Sequence, residues 1–273
     1  MNKNIYTWGA VPAERNYTVI DLRKAKGHKK LVQTTANTLE EAQAVSEADF
    51  DMFMCKSNNI KFVRLGAPKI FLTASIDLSK FPTEKEVLSE AFKSMENGAD
   101  SVFTQRGPHI VEILAKEEIP VMCHLGLVPR KSGLRGGLRA IGKTADEALK
   151  LFQDFKTMEN AGAFSVEAEV ICEQVMTEFT KRTSLLTSSL GSGWGGDIIY
   201  LFQNDICGEE DWRPRHARAF RDIYSLKKKI RTERTLALKA FKNAVSEKSF
   251  PSQKETSRID EDELNKFINL LSK

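Results

Sequence analysis

The chain contains no run of about 18 consecutive apolar residues, so no transmembrane helix is expected. Its opening residues, Met1-Asn2-Lys3-Asn4-Ile5-Tyr6-Thr7-Trp8, lack the apolar centre of a secretory signal. Cysteine is scarce. The four present, Cys55, Cys123, Cys172 and Cys207, form no CxxC pair, which argues against a zinc ribbon or a dithiol redox motif. Cys55 and Cys123 lie in apolar runs, where a free thiol behaves as a small hydrophobe. All four are expected to be reduced and structural, in a cytoplasmic protein. Excess charge is lacking too, since the formal net charge is only +4. The one basic cluster, Lys227-Lys228-Lys229-Ile230-Arg231, has no interleaved aromatics. A solvated helix face is expected there, and no nucleic-acid partner.

What is present is enough apolar sequence for a large core. The 273 residues are 41% hydrophobic and 29% charged, which suits one or two globular domains. An internal echo indicates how they are organised. Lys93-Ser94-Met95-Glu96-Asn97-Gly98-Ala99-Asp100 resembles Lys156-Thr157-Met158-Glu159-Asn160-Ala161-Gly162-Ala163. Each copy ends an amphipathic helix with a glycine, which accepts the left-handed backbone of a helix C-terminus, and then enters an apolar run. Two such junctions suggest repeated β/α units.

Strands are predicted at 31–35, 52–55, 70–75, 101–105, 121–126, 164–169 and 185–190, with a weakly marked last strand near 205–208. Helical patterns lie between them at 40–48, 83–97, 108–118, 144–160 and 173–182. The alternation predicts an α/β (β/α)8 TIM barrel, with a doubly wound sheet as the second choice. One barrel domain is expected over 1–273. Residues 214–273 would form a C-terminal helical extension, broken by the polar stretch 249–256. Those helices either pack on a partner subunit in a homo-oligomer or form a solvated surface.

Two strand ends carry ionisable groups. Val121-Met122-Cys123-His124-Leu125-Gly126 is a short apolar run that delivers His124 just before a glycine turn. Phe164-Ser165-Val166-Glu167-Ala168-Glu169 ends on an acid, and Glu167 shares its face in a regular strand. The C-terminal strand ends of a parallel barrel are where catalysis is located. A carboxylate in that water-poor mouth is suited to general-base work; a structural salt bridge is the alternative role for either acid. Two glycine-rich segments stand out as well. Gly137–Thr144 formally fits GxxxxGK[ST], but no strand leads into it and its middle is bulky, so it is expected to be a βα loop and not a nucleotide site. Gly191-Ser192-Gly193-Trp194-Gly195-Gly196-Asp197 offers backbone N–H groups to an anion, or is simply flexible.

These residues resemble the ketopantoate hydroxymethyltransferase family over nearly the whole chain. Thr18-Val19-Ile20-Asp21-Leu22-Arg23-Lys24 is similar to its TxxDLRK segment, and Val121–Pro129 to its GHLGLxP segment, with HLGLxP matched at His124-Leu125-Gly126-Leu127-Val128-Pro129. Arg135-Gly136-Gly137 is similar to its GG loop, and Ala161–Glu169 to the strand that carries its glutamate base. The resemblance implies a barrel of the phosphoenolpyruvate mutase type acting on a small 2-oxo or carboxylic acid. It further implies a bound magnesium ion, methylene-tetrahydrofolate as one-carbon donor, Glu169 as base and His124 as proton donor or orienting group.

The chain departs from the family where the metal is held. Ser57, in Lys56-Ser57-Asn58, takes the place of the first metal aspartate, and Ser75 that of the second. Phe103 and Gln105 replace the lysine and glutamate that end the fourth strand. Asp77 is near enough to restore one acid, but not the set. Magnesium needs hard, mostly anionic oxygen ligands, so a lost metal site is expected, with no metal ligand assigned and magnesium not required. Lys56, Ser57, Asn58, Ser75 and Gln105 become candidate substrate-binding residues, and Lys56, Arg106 or the glycine-rich loop would supply positive charge. The expected activity is a hydroxymethyltransferase-like transfer or a metal-independent C–C lysis. A non-catalytic barrel is the competing expectation.

Overall fold

A computed structural model describes residues 3–272. The chain opens with a hairpin of β1 (Lys3–Tyr6) and β2 (Pro12–Arg15), followed by α1 (Val19–Ala25). Thr18 caps α1 by accepting the Asp21 N–H, while the Asp21 carboxylate accepts the Thr18 N–H in return.

Eight parallel strands then alternate with helices. They run β3 (Leu31–Thr35), α2 (Leu39–Glu47), β4 (Met52–Lys56), α3 (Ile60–Gly66), β5 (Phe71–Ser75), α4 (Glu84–Glu96), β6 (Ser101–Thr104), α5 (Pro108–Lys116), β7 (Val121–Gly126), α6 (Ala145–Asn160), β8 (Ser165–Glu169), α7 (Glu173–Thr180), β9 (Leu186–Leu190) and β10 (Ile198–Tyr200). Strand β10 pairs with β9 on one side and with β3 on the other, so the sheet closes into a barrel. This is the (β/α)8 barrel expected from the alternation. The short α8 (Gln203–Cys207) follows, then α9 (Ile223–Ser246) and α10 (Glu261–Leu271).

One strand is not where the sequence placed it. Residues 205–208 lie at the end of α8, and the eighth strand is Ile198-Ile199-Tyr200. Two β-branched residues and an aromatic suit a pleated surface, but the run is only three residues long. It is a strand because Leu31 and Ser188 both lie opposite Ile198 and supply its hydrogen-bonding neighbours. The glycine-rich segment 191–197 is the β9–β10 connection, and it contains no helix. Gly195 is required there, since an added Cβ would lie 2.3 Å from Thr177 Oγ1. The loop is anchored by the buried Ser192 hydroxyl, which donates to the Ala168 carbonyl at 2.7 Å and accepts the Ile171 N–H at 2.8 Å.

Inside the barrel, alternation assigns each residue a layer. Leu31, Met52, Phe71, Phe103, Met122, Phe164, Leu186 and Ile198 fill the lower interior, and Leu22 of α1 packs beneath them. Each such large side chain contributes about 1.5–3 kcal/mol on burial. Toward the C-terminal ends the interior turns polar, with Gln33, His124, Glu167 and Ser188 all buried. A second apolar cluster, including Val63, Leu72, Val111, Leu114, Phe155 and Met176, joins the strands to the surrounding helices.

The chain divides into two compact units, residues 1–207 with 212–220 and residues 208–211 with 221–273. In the second, α9 and α10 contain no buried residue, and Leu226, Ile230, Phe241 and Phe267 are exposed. Among the described residues no helix is long and apolar enough to cross a membrane.

Candidate active site

Strands β7 and β8 bring the site together. All six residues of β7 and all five of β8 are buried. The parallel register sets His124 opposite Glu167 and Gly126 opposite Glu169. Gly126 makes this approach possible. Its φ is +88°, and a Cβ on it would sit 2.3 Å from the Glu169 carbonyl oxygen. That carbonyl instead accepts the Leu127 N–H at 2.8 Å, which ties the end of β7 to the end of β8.

The His124 Nε2 lies 3.0 Å from Glu169 Oε2 and 3.4 Å from Glu167 Oε1. The imidazole packs against Phe103, with ring centroids 5.5 Å apart. Its Nδ1 is buried without a hydrogen-bond partner. Burial pushes the Glu167 carboxyl up to about 7; His124 pulls it down, and Glu169 raises it further. For His124, burial works against the charged form, but the Glu167 and Glu169 carboxylates outweigh it and raise its pKa above the ordinary value. His124 and Glu167 therefore both favour their protonated forms more than they do in water.

Tyr200, at the end of β10, completes the surroundings. Its hydroxyl is buried without a partner. Burial and the negative charge of Glu167 and Glu169 push its pKa well up, so it stays a neutral donor. Across the barrel, Ser188 Oγ donates to Gln33 Oε1 at 2.9 Å, while Gln33 Nε2 has no partner.

The expectation of a lost metal site is overturned here. His124, Glu167 and Glu169 each offer a ligand atom, all lie within 4.8 Å of one another, and all three residues are buried. Two carboxylates and an imidazole fit a divalent cation: the carboxylates are hard donors suited to Mg²⁺ or Mn²⁺, and the imidazole nitrogen suits transition-metal ions. Counting acids only at Ser57, Ser75 and Gln105 missed a donor set one strand pair away. Glu167 supplies the second carboxylate. The period-two spacing of Glu167 and Glu169 carried the signal, because it places both on one face.

The five proposed substrate residues do share a cavity. Lys56, Ser57, Asn58, Ser75 and Gln105 line a space of about 140 Å³ at the strand ends, together with Asp77, Lys80, Phe81 and Arg130. His124 and Glu169 do not line it. Gln105 Oε1 is buried without a partner. Asp77 is engaged by Arg130 at 2.7 Å, which holds its carboxyl far below the ordinary range, so it is not a free acid for this cavity. Residues missed from the sequence are Tyr200 and Gln33. Nothing marked them, because their placement depends on the closure of β10 onto β3.

The segment around the formal phosphate-loop match is the β7–α6 connection. It runs through a 3₁₀ turn at Pro129–Arg135 and ends at Thr144, whose hydroxyl accepts the Glu147 N–H to cap α6.

The ketopantoate hydroxymethyltransferase family matches residues 56–253. The chain is 30% identical over 258 residues to the 3-methyl-2-oxobutanoate hydroxymethyltransferase of Thermotoga neapolitana, covering 85% of this chain and 93% of that protein. It is 33% identical over 215 residues to the enzyme of the same name from Roseiflexus sp., covering 77% and 75%. The fold is similar to 2,3-dimethylmalate lyase, a member of the PEP mutase/isocitrate lyase superfamily, with a TM-score of 0.51 at 12% identity over 68% of this chain and 81% of that one. It is similar also to phosphoenolpyruvate phosphomutase of Streptomyces platensis, with a TM-score of 0.50 at 11% identity over 94% and 96%. The family match over residues 56–253 and relatives 30% or more identical over most of their length make this chain a divergent member of the ketopantoate hydroxymethyltransferase family.

Proposed function

We propose that this chain is a cation-assisted enzyme that makes or breaks a carbon–carbon bond beside the carbonyl of a small 2-oxo or carboxylic acid. The observation that supports it is the buried His124–Glu167–Glu169 cluster at the C-terminal ends of β7 and β8. A divalent ion bound there would polarise the carbonyl oxygen and favour the enolate.

The chain's own groups divide the remaining work. The Glu169 side chain is 10% exposed and that of Glu167 is 5% exposed, so Glu169 is the more accessible of the two. Glu169 accepts the proton from the carbon next to the carbonyl through the carboxylate oxygen that the ion would leave free. Glu167, deeper in the barrel, would hold the ion together with His124. The Tyr200 hydroxyl, buried and unpartnered, is a donor for developing negative charge. Ser57, Asn58, Ser75, Gln105 and Lys56 bind the remainder of the acid in the cavity that they line at the strand ends. Self-association is part of the same proposal, supported by the exposed Leu226, Ile230, Phe241 and Val245 of α9.

The relatives' name makes 3-methyl-2-oxobutanoate the first substrate to test. Incubated in D₂O with protein and Mg²⁺ or Mn²⁺, it should lose its C3 proton signal by NMR, with no one-carbon donor needed. Absence of exchange across a panel of small 2-oxo acids and both metals would refute the base assignment.

A further inference from the structure

A second cavity, of about 220 Å³, lies between the ends of β6 and β7 and the helices that follow them. Its lining includes Arg106, Lys131 and Arg135, with the N-terminus of α5 at Gly107-Pro108 and with His124 itself. Among the described residues, no carboxylate forms an ion pair with any of the three cations. Asp154 is the one acid on the wall, and Glu86 feels Arg106 only at longer range.

Three cations brought together without a counter-ion are costly. Burial, and then Arg106 and Arg135, hold the Lys131 ammonium below its ordinary pKa. Lys131 Nζ reaches the Gln105 carbonyl at 2.6 Å. Arg106 spends one terminal nitrogen on the Leu78 and Phe81 carbonyls, while its Nε is buried without a partner. Arg135 makes no side-chain hydrogen bond among the described residues. The N-terminus of α5, which no side chain caps, lines this space at Gly107-Pro108, and its positive dipole end adds to the charge. Charge, unspent donors and volume agree on the ligand chemistry.

We propose that this cavity is an oxyanion site, in which Lys131, Arg135 and Arg106 take a carboxylate or phosphate group beside His124. The molecule it serves then carries an anionic group in addition to the one at the reacting carbonyl. The binding claim is independent of the proposed reaction, because it is read without turnover.

The test is calorimetric titration of the full chain with inorganic phosphate and, separately, with malonate. At least one should bind with a Kd of about 1 mM or tighter. Arg135→Gln and Lys131→Met should each weaken that binding about 10-fold or more, as loss of a charge-assisted hydrogen bond does. Melting temperatures check that both variants are folded, and Arg135 is the cleaner change because its side chain holds no other element. Preference for phosphate or for malonate identifies the group. Absence of binding for both anions, or binding that neither variant alters, would overturn the site.

Discussion

His124 Nε2 stands 3.0 Å from Glu169 Oε2, although the two residues are 45 positions apart in the chain. Parallel pairing makes this contact possible. Gly126 lies opposite Glu169 and His124 opposite Glu167, so one imidazole reaches two carboxylates on the same face of the neighbouring strand. A shift of one residue in that register would turn both acids out of the barrel and dismantle the cluster.

Glu169→Gln should slow proton exchange by roughly 10²–10⁴-fold, the usual cost of losing a general base. The amide is close to the carboxylate in size, so the melting temperature should change little. Exchange rates from NMR, with thermal melts alongside, check both parts. Unchanged exchange would remove Glu169 from the chemistry.

Divalent cations should stabilise the protein through the cluster. A ligand that binds the folded state at about 100 times its Kd adds roughly 2.7 kcal/mol. Melting in Mg²⁺, Mn²⁺ or Zn²⁺ measures the effect, and His124→Ala or Glu167→Gln should abolish it. Acid should weaken the binding, since protons compete for the same three side chains. An equal stabilisation of wild type and both variants would place the cation elsewhere.

Stability without metal should fall as pH rises through neutrality. Glu167 titrates at 4.5 when unfolded and is pushed up to about 7 by burial when folded. A raised pKa means the folded state binds the proton more tightly. Its contribution is therefore complete below about 4.5 and lost as pH climbs through 7. His124 is also raised, from 6.5, and loses its contribution above that value in the same direction. Urea unfolding across this range should show the decline, and Glu167→Gln should flatten it. A stability that rises over the window would contradict the assignment.

Gly126→Ala should be strongly destabilising. The positive φ of +88° alone costs an alanine about 1–2 kcal/mol. Contact with the Glu169 carbonyl oxygen, which belongs to backbone and cannot swing aside, adds to that cost. Denaturant unfolding measures the loss. A wild-type midpoint would mean that the two strand ends are not held this closely.

Most of the barrel was legible because strands and helices differ in local period. Seven of its strands are four to six residues long and are set between helices of a different period, so they need no distant partner to be recognised. The hairpin Lys3–Tyr6 with Pro12–Arg15 was not, since its residues are mostly exposed and carry no clear alternation. The strand Ile198–Tyr200 was assigned elsewhere for a different reason. Three residues are too short for a pattern, and only closure against Leu31 and Ser188 makes them a strand.

The site divides in the same way. By itself the sequence determined the fold class, through the alternation of strand and helix periods, and, through the two-residue period of a single strand, the delivery of His124 and Glu169 to strand ends and the shared face of Glu167 and Glu169. Tertiary structure alone decided that one imidazole would lie between both acids, that Tyr200 would bury an unpaired hydroxyl beside them, and that Arg106, Lys131 and Arg135 would gather around a cavity. Those are relations between strands and loops far apart in the chain, set by register and barrel closure, and no local period encodes them. The metal site follows the same rule: the absent acids at Ser57 and Ser75 are visible one position at a time, whereas the donor set at His124, Glu167 and Glu169 exists only once β7 and β8 are paired.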